Sequence, residues 1–267
     1  MGRRVAERIS AVPTIALRLG EIETASGGAS RNRFRSSLSA FFAWAIREGL
    51  TEVNPVTGTG KANEGNGRER VLTEPELGAL LRALGNDDFS DIIRLLVLTG
   101  QRREEIGGLR WNEIDRGLGR EMIVLQPERT KNKRLHELPL SRQAMAIIER
   151  RDPRIANRGQ PRPDRNEFVF GRRFTAWSKS KEILDRRLNG MAWRLHDLRR
   201  SAATHMAELG VLPHIIEAVL NHVSGHKSGV AGIYNRARYQ NDMRAALQAW
   251  ADYVDRLNPS YTESLKL

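Results

Sequence analysis

A histidine and an arginine stand three residues apart in the segment HDLRRSAATHMAELG, which spans residues 196–210. If this segment is helical, His196 and Arg199 lie on one face of the helix and point into one site. A guanidinium group can bind phosphate oxygens through two parallel hydrogen bonds, and an imidazole can accept or donate a proton near neutral pH. The two residues therefore offer the means to bind a phosphate group and to transfer a proton beside it.

The chain as a whole carries an excess of positive charge. Its 267 residues include 44 Lys and Arg against 32 Asp and Glu, which gives a net charge of +12 and a pI near 10.7. This excess favours a polyanionic partner, either nucleic acid or an acidic membrane surface, although a basic protein without such a partner is compatible with it. No apolar run approaches the ~18 residues that span a bilayer, and residues 1–10 lack the apolar stretch of a signal peptide. We therefore predict no membrane partner and a cytoplasmic location.

The chain contains no cysteine. This excludes disulfides, thiolate metal sites and cysteine nucleophiles. His222 and His226 are four residues apart, as two zinc ligands can be, but no HExxH motif accompanies them. The sequence also lacks a P-loop and an acidic cluster that would hold Mg²⁺. We therefore predict an activity without a metal ion and without a cofactor.

Four segments follow one another along the chain in a fixed order. They are TGQRREEIGGLRW (residues 99–111), TKNKRLHELPL (130–140), HDLRRSAATHMAELG (196–210) and VLNHVSGHKSGVAGIYNR (219–236). In order and spacing they resemble the motifs of the tyrosine recombinase (phage integrase) family, namely T-G-x-R-x-x-E…L-x-W, a lysine-bearing β-hairpin, H-x-L-R, and [GN]-H followed by a tyrosine. The resemblance is to the integrases of bacterial phages and mobile elements. It departs from the common pattern at Asn221, where glycine is more usual, and in a longer spacing between His222 and Tyr234.

The resemblance implies a set of six catalytic residues: Arg102, Lys131, His196, Arg199, His222 and Tyr234. The two arginines would neutralise the negative charge that builds up on the non-bridging phosphate oxygens. Tyr234 would be the nucleophile; its reference pKa of about 10 makes the phenolate cost ~4 kcal/mol at pH 7, and His196 is the natural base. Lys131 would protonate the leaving 5′-oxygen, and His222 would donate a hydrogen bond to a phosphate oxygen.

The function that this site implies is site-specific recombination and integration of double-stranded DNA. Cleavage would leave a 3′-phosphotyrosyl link, which keeps the energy of the broken phosphodiester, so that rejoining needs neither ATP nor a metal. The resemblance implies a homotetramer on paired DNA sites, and we expect a monomer without DNA. Two alternatives remain open: a type IB topoisomerase-like enzyme that relaxes DNA, and a non-catalytic DNA-binding remnant of an integrase.

Several neighbouring residues compete with the assigned ones. Arg103 stands beside Arg102, and Tyr239 lies close to Tyr234, although only the approach VAGIYNR matches the family. Glu105 could support Arg102 from three residues away or could be an ordinary solvated residue.

Other side chains have structural explanations that we prefer. We expect structural roles for His205 and His214, and a surface position for His136. The two tryptophans at helical positions, Trp44 and Trp193, are better explained as core residues than as stacking platforms for bases.

The elements that would position these residues are mainly helices with one small antiparallel sheet. A helix capped by Ser30 and with an apolar face that includes Phe34 and Phe41 precedes a stop at Gly49. Thr73 begins the next helix with a capping box. Strands at residues 121–125 and 135–140 form a hairpin whose tip carries Lys131 and Lys133, and helices continue to Leu257, interrupted by a Pro-rich loop at residues 152–165.

The Gly-rich stretch VTGTGKANEGNGRER (residues 56–70) offers almost nothing to a core and indicates a linker. It divides the chain into a partial helical core-binding domain of the SAM-like type at residues 1–55 and a tyrosine recombinase catalytic domain at 71–267. We expect the two domains to close around a duplex. The first segment is shorter than the family's core-binding domain, so the resemblance implies a shortened N-terminus.

Overall fold

In the computed structural model, residues 2–65, 69–117, 119–152, 167–222 and 239–258 are described. The chain divides into two compact units, Met1–Glu69 and Arg70–Leu267. Across the described ranges, no helix has both the length and the apolar composition needed to cross a membrane.

The first unit consists of helix α1 (Gly2–Ser26), helix α2 (Gly28–Arg47) and a 3₁₀-helix (Pro55–Gly58) that contacts both. The 3₁₀-helix is held by Arg35, whose Nε and Nη2 donate to the Thr59 carbonyl oxygen at 3.1 and 2.8 Å. Val56 is completely buried. The expectation that the stretch from residue 56 offers almost nothing to a core is therefore wrong at its beginning, because Val56 packs inside this unit.

Helix α2 begins earlier than the sequence suggested. Its N-cap is Gly27, with a φ of 80°, and Ser30 lies inside the helix, so the predicted cap at Ser30 is wrong. The helix ends at Arg47, and Gly49 follows with a φ of 70°, as expected for a glycine that stops a helix. Trp44 is 43% exposed, so its prediction as a core residue is also wrong.

The second unit opens with helix α3 (Glu74–Ala83), whose capping box at Thr73 and Glu76 confirms the predicted start. Helix α4 (Asp88–Thr99) follows and is buried along almost its whole length. It ends at Gly100, whose φ of 64° favours glycine. A Cβ at this position would also lie 2.9 Å from a methyl group of Leu220, so that a larger residue here would separate two segments that carry site residues.

The sheet of the second unit has three antiparallel strands in the order β1 (Ile114–Asp115), β2 (Met122–Leu125) and β3 (His136–Pro139). Ile123 pairs with Leu138, and Leu125 pairs with His136. The predicted hairpin is confirmed, with Lys131 and Lys133 between its strands. The two-residue strand β1 was not predicted, because such a short segment has no alternation to recognise.

Six further helices complete the described part of the second unit: α5 (Arg103–Gly107), α6 (Arg142–Arg150), α7 (Trp177–Arg187), α8 (Leu195–Glu208), α9 (Pro213–Val219) and α10 (Gln240–Leu257). Helices α6, α8 and α10 pack around α4, and the buried Trp250 donates its indole N–H to the Val97 carbonyl oxygen at 2.8 Å. The predicted fold class, mainly helical with a small antiparallel sheet, is confirmed. The Pro-rich loop lies outside the described residues except for its beginning at Asp152.

Candidate active site

Arg102 stands in the turn between α4 and α5, directly before the first residue of α5. Its Nη1 donates to Glu105 Oε1 at 3.0 Å, and its backbone N–H donates to Glu105 Oε2 at 3.0 Å. The Glu105 side chain is buried, whereas that of Arg102 is 23% exposed. Glu105 is thus not an ordinary solvated residue, because its carboxylate accepts hydrogen bonds from both the backbone and the guanidinium of Arg102. The Arg102 side chain is still partly exposed to solvent.

Arg199 lies on α8 and is buried, with 7% of its surface exposed. Its Nη1 donates to the Gly100 carbonyl oxygen at 2.8 Å, and its Nη2 donates to the Leu220 carbonyl oxygen. One guanidinium therefore ties together the turn that precedes Arg102 and the end of α9. Burial and the charge of Arg102 lower the pKa of Arg199 to about 10, which leaves it protonated at neutral pH. Two cations held this close favour an anion between them.

His196 precedes Arg199 by one turn of α8 and is exposed. Its pKa is lowered, first by desolvation and then by the charges of Arg200 and Arg199, while Asp197 opposes the shift. The imidazole is therefore neutral at pH 7 and has a lone pair that can accept a proton. The structure thus places His196 and both arginines in one region of positive potential.

The hairpin tip lies against the residues that follow α9, next to His222. Lys131 is exposed and stands in the turn after a 3₁₀-helix (Pro127–Arg129). The next residue, Asn132, donates through Nδ2 to the Asn221 carbonyl oxygen at 3.0 Å and to Asn221 Oδ1 at 2.8 Å. Lys131 and the exposed His222 are therefore each adjacent in sequence to a residue of this contact.

The proposed nucleophile Tyr234 lies outside the described residues. Its competitor Tyr239 is described: it stands directly before α10 with a φ of 49°, packs against the core and has its ring centroid 5.0 Å from that of His214. Its ring is thus engaged in the packing of α9 and α10.

Arg103, the competitor of Arg102, has a different environment. Its guanidinium lies 5.6 Å from the ring centroid of Trp177, and its side chain is 52% exposed. It therefore belongs to the surface of α5 and α7, whereas the charge of Arg102 acts on Arg199.

His136 is the site residue that sequence reasoning missed. It is buried on β3, and its Nε2 lies 3.2 Å from Gln101 Oε1. Gln101 donates its Nε2 to the carbonyl oxygens of Val219 and Thr99, both at 2.8 Å, so its Oε1 accepts and His136 carries its proton on Nε2. The expected surface position is wrong. The signal was the alternation of the strand, which places His136 on the same face as the buried Leu138.

Burial, with the charges of Arg199 and Arg102, lowers the pKa of His136 to about 4. The unfolded chain binds this proton at the ordinary histidine pKa of about 6.5, so the free energy of unfolding falls as the pH drops from 6.5 to 4. We expect the His136 contribution to fall by about 2 kcal/mol between pH 7 and pH 5. Urea unfolding at a series of pH values gives the free energy of unfolding of the unaltered protein and of His136→Gln. The glutamine keeps a donor for Gln101 but does not titrate. The contribution of His136 is the difference between the two proteins in how steeply the free energy of unfolding changes with pH.

The exposed His214 provides the control for this measurement. His214→Gln should keep the acid sensitivity of the unaltered protein, because it leaves the buried His136 in place. Equal pH dependence of the unaltered protein and His136→Gln would contradict the assignment of a neutral, buried His136.

The remaining histidines and tryptophans have the following positions. His205 is buried against Trp250, and its Nε2 lies 2.9 Å from the Leu72 carbonyl oxygen, so its structural role is confirmed. Trp193 is buried, as predicted, and donates to Asp185 Oδ1 at 2.9 Å. The possible zinc partner of His222, His226, lies outside the described residues.

Comparison with known proteins places this arrangement in context. A sequence profile described as the phage integrase family matches residues 70–241. The prophage integrase IntZ of Escherichia coli K12 is 30% identical, over 96% of this chain and 63% of the relative. The integrase of Shigella phage Sf6 is 25% identical over 84% of this chain and 58% of its own. The tyrosine recombinase XerD of Mycobacterium tuberculosis is 27% identical over 79% and 72%. The chain thus spans less than two thirds of the length of the two integrases.

Solved structures share the fold. A lambda integrase (residues 75–356 of that protein) dimer bound to a COC′ core site has a TM-score of 0.59 and 22% identity, over 80% of this chain and 79% of the other. A Tn1549 transposon integrase in complex with circular intermediate DNA has a TM-score of 0.57 and 18% identity, over 88% and 83%. At these identities the likeness concerns the fold, and the chemistry must be argued from the residues themselves.

Proposed function

Because the chain belongs to the phage integrase family of tyrosine recombinases, we propose that it cleaves and rejoins double-stranded DNA at specific sites through a 3′-phosphotyrosyl intermediate. The observation that carries this proposal is the pair of hydrogen bonds from Arg199 to the carbonyl oxygens of Gly100 and Leu220. Through them the segments bearing Arg102 and His222 meet at one guanidinium. The proposed substrate is DNA because the site presents two cations to a phosphate and the chain is strongly basic.

The two arginines act on the phosphate. Attack on a phosphodiester increases the negative charge on the non-bridging oxygens, and guanidinium groups that are already in place stabilise that charge without reorganisation. Glu105 holds Arg102, and backbone carbonyls hold Arg199, so neither side chain loses much conformational entropy when DNA binds. His222 adds a hydrogen bond to the same oxygens.

The chemical step exchanges one phosphate ester for another. The Tyr234 oxygen forms a bond to phosphorus while the bond from phosphorus to the 5′-oxygen breaks. The phenolic proton passes to His196, whose lowered pKa keeps it neutral and able to accept. Lys131 gives a proton to the 5′-oxygen, which leaves as a hydroxyl. Attack by a second 5′-hydroxyl reverses these steps and conserves the bond energy, so no ATP is needed.

The proposed partner and assembly follow from the same family. Structural neighbours include a lambda integrase tetramer bound to a Holliday junction. We propose that this chain is a monomer without DNA and a homotetramer on paired DNA sites, and that it acts in the cytoplasm, where its DNA substrate lies. We propose further that residues 1–55 belong to a core-binding domain and that residues 56–70 link it to the catalytic domain at 71–267.

Two alternative functions lead to different products. A type IB topoisomerase-like enzyme would also form the covalent link but would rejoin the original strand, and the family match at residues 70–241 favours a recombinase. A non-catalytic remnant would bind DNA without a covalent link. The surviving arrangement of Arg102, Glu105 and Arg199 favours an active enzyme.

Covalent trapping tests the proposal. The protein is incubated with a pool of duplexes that have a randomised core and a nick beside the scissile position, so that the short 5′-fragment diffuses away after cleavage. We expect a protein–DNA band that survives denaturation, and sequencing of the trapped DNA identifies the preferred site. The band should be undiminished in EDTA, because the arginines and not a metal ion would stabilise the transition state.

The outcomes separate the alternatives. No covalent band on any duplex would support the remnant, and a band abolished by EDTA and restored by a divalent metal would overturn the metal-free mechanism. With the trapped site placed on two intact duplexes, exchange of strands between them supports a recombinase, whereas relaxation without exchange supports the topoisomerase-like enzyme.

A further inference from the structure

We propose that Asn132 and Asn221 are positioning residues whose side chains form an amide pair that holds the hairpin tip, and with it Lys131, beside His222. This inference rests on the proposed function, in which Lys131 protonates the leaving 5′-oxygen. The amide pair gives the asparagine at position 221 a role that a glycine could not fill, because glycine has no side chain to reach Asn132.

Three hydrogen bonds make up the amide pair. Asn132 Nδ2 donates to the backbone oxygen of Asn221 at 3.0 Å and to its Oδ1 at 2.8 Å, and Asn221 Nδ2 donates back to Asn132 Oδ1 at 3.3 Å. Both side chains are half-buried. Each amide therefore acts as donor and acceptor, and the contact joins residues 89 positions apart in the chain.

The hairpin tip is a closed turn, so that fixing Asn132 also fixes the backbone of Lys131. The Lys133 N–H donates to the Thr130 carbonyl oxygen at 3.2 Å. Thr130 Oγ1 donates to the Arg134 carbonyl oxygen at 2.8 Å and accepts from the Arg134 N–H at 3.0 Å. Lys131 is thus the second residue of a turn that is closed by three hydrogen bonds. Asn132, the next residue of the turn, attaches it to Asn221.

The other partner is fixed as well. Asn221 lies two residues beyond α9 and has a φ of 47°. Its N–H donates to the Ala218 oxygen at 3.1 Å, and the His222 N–H donates to the Glu217 oxygen at 2.9 Å. This is the pattern of a Schellman motif, in which glycine is favoured at the left-handed position. Asparagine tolerates that conformation less well than glycine, but it adds the side chain that reaches Asn132. Asn221 therefore holds the hairpin tip through its side chain and fixes the position of the neighbouring His222 backbone.

The consequence concerns the leaving group. A general acid must lie within hydrogen-bond reach of the atom it protonates, and a lysine on an undocked tip would spend little time there. Loss of the amide pair should therefore slow only the part of the reaction that needs the Lys131 proton. A substrate whose leaving group needs no proton should be unaffected.

The test uses the trapped core site in two forms, one with the normal 5′-bridging oxygen at the scissile phosphate and one with sulfur there. A thiol has a reference pKa of about 8.5 and can leave as a thiolate without a general acid. On the oxygen substrate, Asn132→Ala and Asn221→Gly should each form covalent complex about tenfold more slowly, because each variant loses hydrogen bonds that hold the hairpin tip in place. On the sulfur substrate, both variants should match the unaltered protein.

Matched variants complete the experiment. Asn189 is also left-handed, with a φ of 49°, and is exposed, so Asn189→Gly relieves the same backbone strain without touching the hairpin and should cleave both substrates normally. Lys131→Ala should form covalent complex about a hundredfold more slowly, or slower still, on the oxygen substrate. On the sulfur substrate its rate should return to that of the unaltered protein. The double variant Asn132→Ala/Asn221→Gly should be no slower than Asn132→Ala, because Asn132→Ala already removes all three hydrogen bonds of the amide pair, including the one to the Asn221 backbone oxygen.

Each contrary result has a distinct meaning. If the asparagine variants cleave the oxygen substrate at the normal rate, or lose equally on both substrates, the amide pair does not position Lys131 and the proposal is wrong. If Lys131→Ala is not rescued by sulfur, Lys131 is not the general acid and the inference is overturned with it. If the unaltered protein forms a covalent complex with neither substrate, the proposed function itself fails.

Discussion

Tyr234→Phe is expected to abolish covalent complex formation while leaving DNA binding unchanged. The substitution removes a single oxygen, and that oxygen is the atom that would form the bond to phosphorus. No other step can replace it, so the loss should be complete and not partial. The measurement is the denaturation-resistant band on nicked DNA bearing the trapped site, together with the affinity for an intact duplex of the same sequence.

Tyr239→Phe is the matched control, because it removes the same atom five positions further along. The ring of Tyr239 packs against His214 and the core, and phenylalanine keeps that packing, so this variant should form the covalent band normally. A band that persists in Tyr234→Phe and disappears in Tyr239→Phe would exchange the two assignments. A band in both variants would place the nucleophile elsewhere in the chain.

The elements that were predicted well are those with strong local signals. The start of α3 could be read from Thr73 and Glu76, because a capping box is made within four residues. The hairpin could be read from two apolar runs on either side of a basic turn, and its strands β2 and β3 lie within one residue of the predicted bounds. His196 and Arg199 could be placed on one face because helical spacing alone decides that.

The errors occur where burial depends on parts of the chain that are distant in sequence. Trp44 has the helical spacing of a core residue, but which face of α2 is covered depends on α1 and the 3₁₀-helix after it. His136 was assigned to the surface because histidine is usually partly exposed, whereas its partner Gln101 comes from 35 positions away. The cap was misplaced because Ser30 is a common N-cap residue, while the backbone break occurs at Gly27.

The candidate site likewise combines features that local sequence predicts with features that depend on residues distant in sequence. The types of the site residues and their order could be taken from motifs, but what holds them could not. Arg199 meets the Gly100 oxygen across 99 positions, and Asn132 meets Asn221 across 89. Such contacts are decided by how α4, α8 and α9 pack, and no local pattern specifies them.

Arg102→Ala and Arg199→Ala are each expected to slow cleavage by about 100- to 1000-fold, the usual cost of losing one fixed donor to transition-state charge. Two other arginines supply controls with the same change in net charge. Arg103 lies over Trp177, and the exposed Arg186 pairs with Glu182 on α7. We expect Arg103→Ala and Arg186→Ala to remain within about threefold of the normal rate, the size of effect usual for a surface substitution. Losses as large in these controls would mean that general electrostatic attraction, and not the two assigned arginines, drives cleavage.

A loss of stability must be separated from a loss of chemistry, because the two arginines proposed to be catalytic also make hydrogen bonds that hold the fold. Arg102→Ala leaves the buried carboxylate of Glu105 without its guanidinium, and Arg199→Ala leaves the carbonyl oxygens of Gly100 and Leu220 without theirs. Thermal unfolding will measure that cost. The decisive comparison uses a substrate whose scissile phosphate carries a methyl group in place of one non-bridging oxygen. That methylphosphonate is uncharged before attack and carries one negative charge fewer in the transition state, so a loss caused by missing positive charge should be smaller on it. A loss caused by a disturbed site should be as large as on normal DNA, and that outcome would contradict the proposed role of the two arginines.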